Sequence, residues 1–227
     1  MDIIFTNMSN FKDIEQPEPA SKLIPEWYKK MESYVNGKKE PGINGGTSGT
    51  IKKCMPVVDS IMAGYIIKTV SDIFVTTKDG SPYFEWASFD AITAHGDSQV
   101  SLHPSKTNSL TPKFMNPWGI KTPKGYSTLF VQPFHRESVF TIYPGIVDTD
   151  EYCAPVNFPF VLNDLNFQGL IPVGTPIAQV IPIKRDSWSM KLGSEKEVEK
   201  IKNIGLKLNT KFFDRYKTMF RQNKEYK

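Results

Sequence analysis

Asp148, Asp150, Glu151 and Tyr152 follow the apolar run Gly145-Ile146-Val147 within a single turn, and they are the first residues in the chain that could do chemistry together. General-base work needs a carboxylate held within hydrogen-bond reach of a water, and the end of a buried strand holds one rigidly. Asp148 also suits a purely structural part, capping its own turn by accepting backbone N–H bonds, and both roles stay open. Upstream, Arg136 and Ser138 lie in Gln132-Pro133-Phe134-His135-Arg136-Glu137-Ser138. Downstream, Gln179 puts an amide into an otherwise apolar strand, where burial would oblige it to find partners, either a ligand or the surrounding backbone.

The histidines offer a second chemistry. His95, His103 and His135 are the only three, with Asp97 and Glu137 two residues from two of them. On a strand, His-x-Asp points both side chains to one face, the arrangement a facial iron site uses. The plain alternative is that they are loop or partly buried histidines, since nothing in the sequence brings them together.

The elements that must position these residues are mostly strands. Residues 1–6 alternate weakly, as an edge strand does. Pro17, Pro19 and Pro25 disfavour regular structure over residues 15–25. Pro25 then suits the first turn of a short helix from Glu26 to Tyr34, with Trp27, Met31 and Tyr34 on one face. Residues 36–50 are rich in Gly and Lys and read as a loop without the Gly-Lys-Ser/Thr ending of a phosphate-binding P-loop. Short strands are predicted over Ile51–Val58, Ile61–Val70 and Ile73–Thr77, followed by an Asp79-Gly80 hairpin signal. Residues 88–117 are polar and irregular and read as an elaboration. Strands resume at Trp118–Thr122, Tyr126–Gln132, Val139–Tyr143, Val156–Leu162 and Ile177–Ile183. Many short strands between Gly and Pro turns indicate an all-β sandwich or barrel. After Lys191 the pattern becomes helical: Ser194 and Glu197 form a capping box, and Val198, Ile201, Leu208, Phe212, Tyr216 and Met219 recur near helical spacing, with Gly205 expected to bend or divide the helix. Three parts result: an N-terminal arm, short helix and Gly-rich loop over 1–50, a barrel over 51–190 with 88–117 as its elaboration, and a helical tail over 191–227.

Read in order, several segments resemble the dUTPase/dCTP-deaminase superfamily. Ala63-Gly64-Tyr65 is similar to the start of its first motif, and Pro123-Lys124-Gly125-Tyr126 to the strand leading into its second. Gly145 to Tyr152, followed by Gly174-Thr175-Pro176-Ile177-Ala178-Gln179, resembles the third motif and the strand after it. The resemblance covers roughly residues 60–183. It implies a mainly β, dUTPase-like β-clip barrel with a short N-terminal helix and a C-terminal amphipathic helix. It also implies roles: Asp148 orients and deprotonates the water that attacks a nucleoside triphosphate, Tyr152 lies beneath the pyrimidine ring, and Gln179 joins the polar network around the substrate. Asp150 shares the turn as a ligand-binding residue, and Arg136 and Ser138 stand in the region that grips phosphate. Magnesium would be the cofactor if hydrolysis is retained, and the family's usual trimer implies a homo-oligomer.

The departures from the family pattern are several. Ile66 stands where the first motif carries the Asp that helps hold magnesium. Arg136 and Ser138 are displaced from the second motif's Pro-Arg-Ser, the deaminase branch's Arg-Ser-Ser is missing, and the helical tail replaces the Gly-rich closing arm. Glu151 pushes Tyr152 one place along, which on a strand turns a side chain to the other face and makes it a packing residue unless a bulge restores it. Triphosphate cleavage depends on clamped phosphates and a metal. The expectation is therefore a dUTPase-like domain that binds a nucleotide or similar small polar ligand, as a degenerate hydrolase. Its alternatives are a metal-dependent enzyme using His95, His103 and His135, and a non-catalytic structural or interaction protein. Most of residues 50–190 also resemble a group of bacterial and tailed-phage proteins through phrases such as Asn116-Pro117-Trp118 and Val147-Asp148-Thr149-Asp150; that likeness supplies no activity.

Composition limits the partners. The chain has 227 residues, a formal net charge of +4 and Lys concentrated at its ends, which does not argue for nucleic acid. Cys54 and Cys153 lack CxxC spacing, so a reducing, cytoplasmic setting with free thiols is expected. The N-terminus shows no secretory signal, and no apolar run approaches the roughly 18 residues that cross a membrane.

Overall fold

The computed structural model describes residues 1–40, 48–88, 90–105, 111–209 and 214–227. In chain order its strands are β1 (Ile4–Asn7), β2 (Glu18–Pro19), β3 (Tyr65–Lys68), β4 (Ile73–Lys78), β5 (Ser81–Trp86), β6 (Ile92–His95), β7 (Thr111–Phe114) and β8 (Trp118–Lys121). They continue with β9 (Tyr126–Val131), β10 (Phe140–Ile142), β11 (Gly145–Val147), β12 (Phe158–Leu162), β13 (Gly169–Ile171) and β14 (Pro176–Lys184). The helices are α1 (Glu26–Lys30), α2 (Met55–Met62), α3 (Glu195–Asn209) and α4 (Arg215–Met219). The architecture is mainly β with a short N-terminal and a longer C-terminal helix, the class the sequence indicated. The described chain divides into two compact units, Met1–Leu23 with Ala63–Arg185, and Ile24–Met62 with Asp186–Lys227. This division differs from the three consecutive segments read from sequence, because residues 1–23 supply β1 and β2 to the sheets of the first unit.

The first unit holds all the described strands. A five-stranded sheet runs β11-β9-β14-β3-β2, a four-stranded sheet β10-β12-β7-β6, and a three-stranded sheet β13-β4-β5, while β1 pairs with β8. The core is aromatic: Phe114, Phe130, Phe140, Phe158 and Phe160 are each at most 2% exposed. Burying a side chain of this size contributes about 1.5–3 kcal/mol. Phe158, Phe160 and Leu162 point inward from β12 while Pro159 and Val161 are half-buried, the two-residue alternation of a strand with one core face. The Phe114 and Phe160 rings stack with centroids 4.0 Å apart.

Local backbone chemistry explains the joints. Asp79 and Gly80 take φ values of 51° and 75° and connect β4 to β5 as a two-residue hairpin, as their residue types demand. Gly64 has a φ of 66°, and a Cβ there would lie 1.9 Å from the Val180 carbonyl oxygen, so only glycine lets this turn approach β14. The 88–117 elaboration is integral to the fold: β6 pairs with β7, β7 pairs with β12, and Phe114 enters the core.

In the second unit three expectations are corrected. Ile51–Val58 is helical instead of extended. The Cys54 carbonyl accepts from the N–H groups of Val57 and Val58, both at 3.1 Å, and Pro56 occupies the first turn, where its missing N–H costs nothing. Short β-branched runs are ambiguous in sequence, and α2 continues through Ile61 and Met62, the expected start of the strand Ile61–Val70, burying Met55 and Ile61. The second correction is Gly205, which neither bends nor ends its helix; α3 runs through it to Asn209. The predicted start of α3 holds, with the Ser194 N–H donating to the Glu197 carboxylate at 3.0 Å. Helix α1 is shorter than expected, because Met31 is already extended (ψ 137°), and Met31 and Tyr34 fall outside it. Phe212 lies outside the described residues. Near the C-terminus, Arg221 and Lys224 bind the two carboxylate oxygens of Asp59 at 2.7 and 2.9 Å. Both cysteines are free and exposed. Among the described residues no helix is long and apolar enough to cross a membrane.

Candidate functional site

Strand β9 is flanked by β11 on one side and β14 on the other. Val147 is the last residue of β11 and pairs with Thr128, so the chain leaves the sheet at Asp148, beside Ser127. The Ser127 hydroxyl donates to Asp148 Oδ1 at 2.6 Å. The N–H groups of Glu151 and Tyr152 then donate to the Asp148 carbonyl at 3.1 and 2.8 Å, which coils the acidic stretch into one helical turn.

Beneath the turn lies a hydroxyl relay. Thr149 is fully buried, with its Oγ1 2.8 Å from that of Thr122 and 2.7 Å from that of Thr128. Thr122 in turn donates to the Tyr126 carbonyl at 3.0 Å. With one proton per hydroxyl, the relay runs from Thr128 through Thr149 and Thr122 to that carbonyl, and every member is satisfied. It pins the turn to the start of β9.

Arg185, just past β14, supplies the electrostatics. Its Nη1 is 2.7 Å from Asp150 Oδ1, and its Nη2 contacts Oδ2 of the same carboxylate. Nη1 also lies 3.2 Å from Asp148 Oδ1 and 3.3 Å from the Ser127 hydroxyl. The Gly125 N–H donates to Asp150 Oδ2 at 2.8 Å. The Arg185 bonds, followed by the Gly125 N–H, lower the Asp150 pKa to about 2, and Asp150 raises that of Arg185. The two carboxylates differ in exposure: the Asp150 side chain is 3% exposed and that of Asp148 64%. Asp150 is a structural anchor, and Asp148 is presented at an open rim.

Of the other expected site residues, Gln179, Arg136 and Ser138 are engaged elsewhere, while Tyr152 stays on the acidic turn. Gln179 is 1% exposed, and backbone takes up both ends of its amide: Oε1 accepts from the Phe134 N–H at 3.0 Å and Nε2 donates to the Ala63 carbonyl at 2.6 Å. It pairs with Val131 at one end of β9, whereas Asp148 contacts Ser127 near the other. Four residues of strand separate those positions, roughly 13 Å. Gln179 and Asp148 share a sheet without sharing a pocket. Arg136 donates to the Leu23 carbonyl, and burial lowers its pKa. The Ser138 hydroxyl accepts from the Phe140 N–H at 3.2 Å. Tyr152 sits on the coiled turn and is 55% exposed, so neither the strand-face argument nor the packing role applies to it.

The histidines are not gathered. Nδ1 of His95 lies 3.4 Å from Gln99 Oε1, His103 stacks on Tyr143 with ring centroids 4.0 Å apart, and His135 is an exposed residue with a φ of 55°. Among the described residues no three of His, Cys, Asp and Glu are placed to hold a metal ion. Asp148 and Asp150 do not fit a resident magnesium either, since the Arg185 guanidinium already bridges them. Arg185 itself escaped sequence reading; the available signal was a cation ending the strand that neighbours the one beside the acidic turn.

The segments that resemble dUTPase motifs fall in one sheet: Tyr65 opens β3, Tyr126 opens β9, Asp148 follows β11, and Ile177-Ala178-Gln179 lies in β14. No protein-family model matches the chain, and no curated protein matches it. Solved structures do. A mutant dUTPase of Staphylococcus bacteriophage 80alpha, solved with dUpNHpp, is 10% identical over 85% of this chain and 97% of its own, with a TM-score of 0.39. The dUTPase from phage phi11 of S. aureus is 12% identical over 86% and 97%, with a TM-score of 0.38. The EIAV dUTPase is 15% identical over 53% and 91%, with a TM-score of 0.30. These are distant likenesses of fold, and nothing about site or activity follows from them.

Proposed function

We propose that the chain is a dUTPase-like domain that binds a nucleotide or similar small polar ligand at the rim formed by Asp148, Ser127 and Arg185. The observation that carries the reading is the presentation of Asp148: one oxygen is held by a hydroxyl and a guanidinium while the carboxylate stays open to solvent. A carboxylate fixed in this way can accept a hydrogen bond from a ligand hydroxyl or imide, or position a water for attack. Arg185, 39% exposed, offers a cation beside it for an anionic group. Tyr152, on the same turn, offers a ring face. Magnesium would arrive with the phosphates of such a ligand and not as a resident ion. The chain works in this reading as a homo-oligomer, a trimer by its resemblance, in the reducing cytoplasm.

Holding a ligand is favoured over hydrolysing it. Gln179 is engaged by the Phe134 N–H and the Ala63 carbonyl and Arg136 donates to the Leu23 carbonyl, so among the described residues Arg185 is the cation shown beside Asp148. A thermal-shift panel of nucleoside mono-, di- and triphosphates, with and without magnesium, tests the reading. A rise in Tm with at least one nucleotide, lost in Asp148→Asn, is expected. No rise with any of them sinks it.

A further inference from the structure

Strands β5 and β6 each end a sheet, and no described strand pairs with the outer edge of either. Lys78 and Ser81 flank the two-residue turn of the β4–β5 hairpin as a hydrogen-bonded pair. Pairs alternate from there, so Val75–Phe84 and Ile73–Trp86 are wide, and the N–H and C=O of Phe84 and Trp86 point off the open edge. On β6, the Met115 N–H donates to the Ala91 carbonyl at 2.9 Å, which brackets the Ile92–Phe114 pair and makes it wide too. Two residues on, Ala94 faces Pro112, which has no N–H to give. The β6–β7 ladder therefore leaves the N–H and C=O of Ile92 and Ala94 unused.

The same residues wall a cavity of about 390 Å³, formed by Pro82, Phe84 and Trp86 of β5, Ile92 and Ala94 of β6, and Pro112 of β7. Small-molecule sites have volumes of roughly 300–1,000 Å³. The core fixes the inner wall: Phe84 meets Phe160 edge-on with ring centroids 5.7 Å apart, and Ile92, 8% exposed, belongs to the core cluster. Thr93 and Ala94 are exposed, so the mouth lies on their side. Among the described residues no charged side chain lines the cavity.

We infer that this cavity is a second ligand site, which takes a small uncharged aromatic amide. An ion would lose its hydration there with no opposite charge to replace it. The rings of Phe84 and Trp86 give faces to a flat apolar body. Each strand residue with unused ladder groups presents one donor and one acceptor, and an amide answers with one of each. None of Ser127, Asp148 and Arg185 lines the cavity, so the nucleotide reading stands or falls separately.

Amide-resolved NMR on the isotope-labelled full chain tests it. Acetanilide is expected to shift the Phe84, Trp86, Ile92 and Ala94 amide resonances saturably. N-methylacetanilide, which lacks the N–H, should bind about fivefold more weakly or worse, and the anion 3-phenylpropionate should bind more weakly still. Ala94→Phe, at an exposed position, should keep a dispersed spectrum and abolish the acetanilide shifts by filling the cavity. Acetanilide shifts that are absent, that fall on other residues, or that persist in Ala94→Phe overturn the inference. Equal binding by either comparison compound overturns it as well.

Discussion

Arg185 grips Asp150 with both terminal nitrogens, Nη1 lying 2.7 Å from Oδ1 and Nη2 meeting Oδ2. The same Nη1 reaches Asp148 at 3.2 Å, so one guanidinium holds the buried carboxylate that anchors the acidic turn and steadies the exposed one that the turn presents. The pair spans 35 positions of sequence and ties the end of β14 to the turn after β11.

The first consequence is a pH dependence. The folded-state pKa of Asp150, lowered to about 2 from the ordinary 3.8, makes its charge more favourable in the native protein. A depressed carboxylate stabilises fully above its ordinary value and loses that contribution as the pH falls through the folded value. The Tm of the wild type should exceed that of Asp150→Asn near neutrality by several degrees. The gap should narrow between pH 3.8 and about 2. A gap that is constant through that window would remove Arg185 as its cause.

Gln179 should behave as a structural staple. Gln179→Leu keeps the volume but orphans the Ala63 carbonyl and the Phe134 N–H, at a cost of about 1–3 kcal/mol for each buried group left unpaired. Denaturant unfolding without any ligand reads this loss directly. An unchanged midpoint would show that the amide is not needed by the backbone and would return it to the ligand.

Gly64→Ala should be among the most damaging single changes in the first unit. It demands a left-handed residue with a Cβ 1.9 Å from the Val180 oxygen, so β3 and β14 must part. A loss of about 3 kcal/mol or more is expected, from overlap and backbone strain together. Soluble yield and urea midpoint check it.

Asp59 should govern the C-terminal end of the second unit, since Arg221 and Lys224 share its carboxylate. Asp59→Ala is expected to speed trypsin cleavage within residues 215–227 several-fold, because local opening there loses its two anchors. Cleavage at the wild-type rate would mean the tail is held by other contacts.

Much of the fold was legible because its signals are local. Asp79-Gly80 specifies a hairpin by backbone conformation alone, Ser194 with Glu197 specifies a helix start, and most strands from Trp118 onward lie between clear Gly and Pro turns. Residues 51–58 misled because a short β-branched run fits strand and helix alike, and capping by the Cys54 carbonyl decides between them. Gly205 misled because a glycine lowers helix propensity without breaking an otherwise continuous helix. The site was less legible for a different reason. The strands bearing Asp148 and Gln179 could be named from their residues, but the register along β9 that parts the two side chains is a property of pairing. Arg185 was invisible for the same cause, since its partners reach it only through the sheet.

The central claim rests on Asp148, and calorimetric titration tests it most directly. The wild-type chain and Asp148→Asn would each be titrated with dUTP, then with the other nucleotides, with and without magnesium. The wild type should give a saturable heat with at least one of them, and the variant should bind that ligand about tenfold more weakly or worse, the worth of a hydrogen bond to a charged group. Equal affinity in the two proteins, or no heat from any nucleotide, would contradict the assignment.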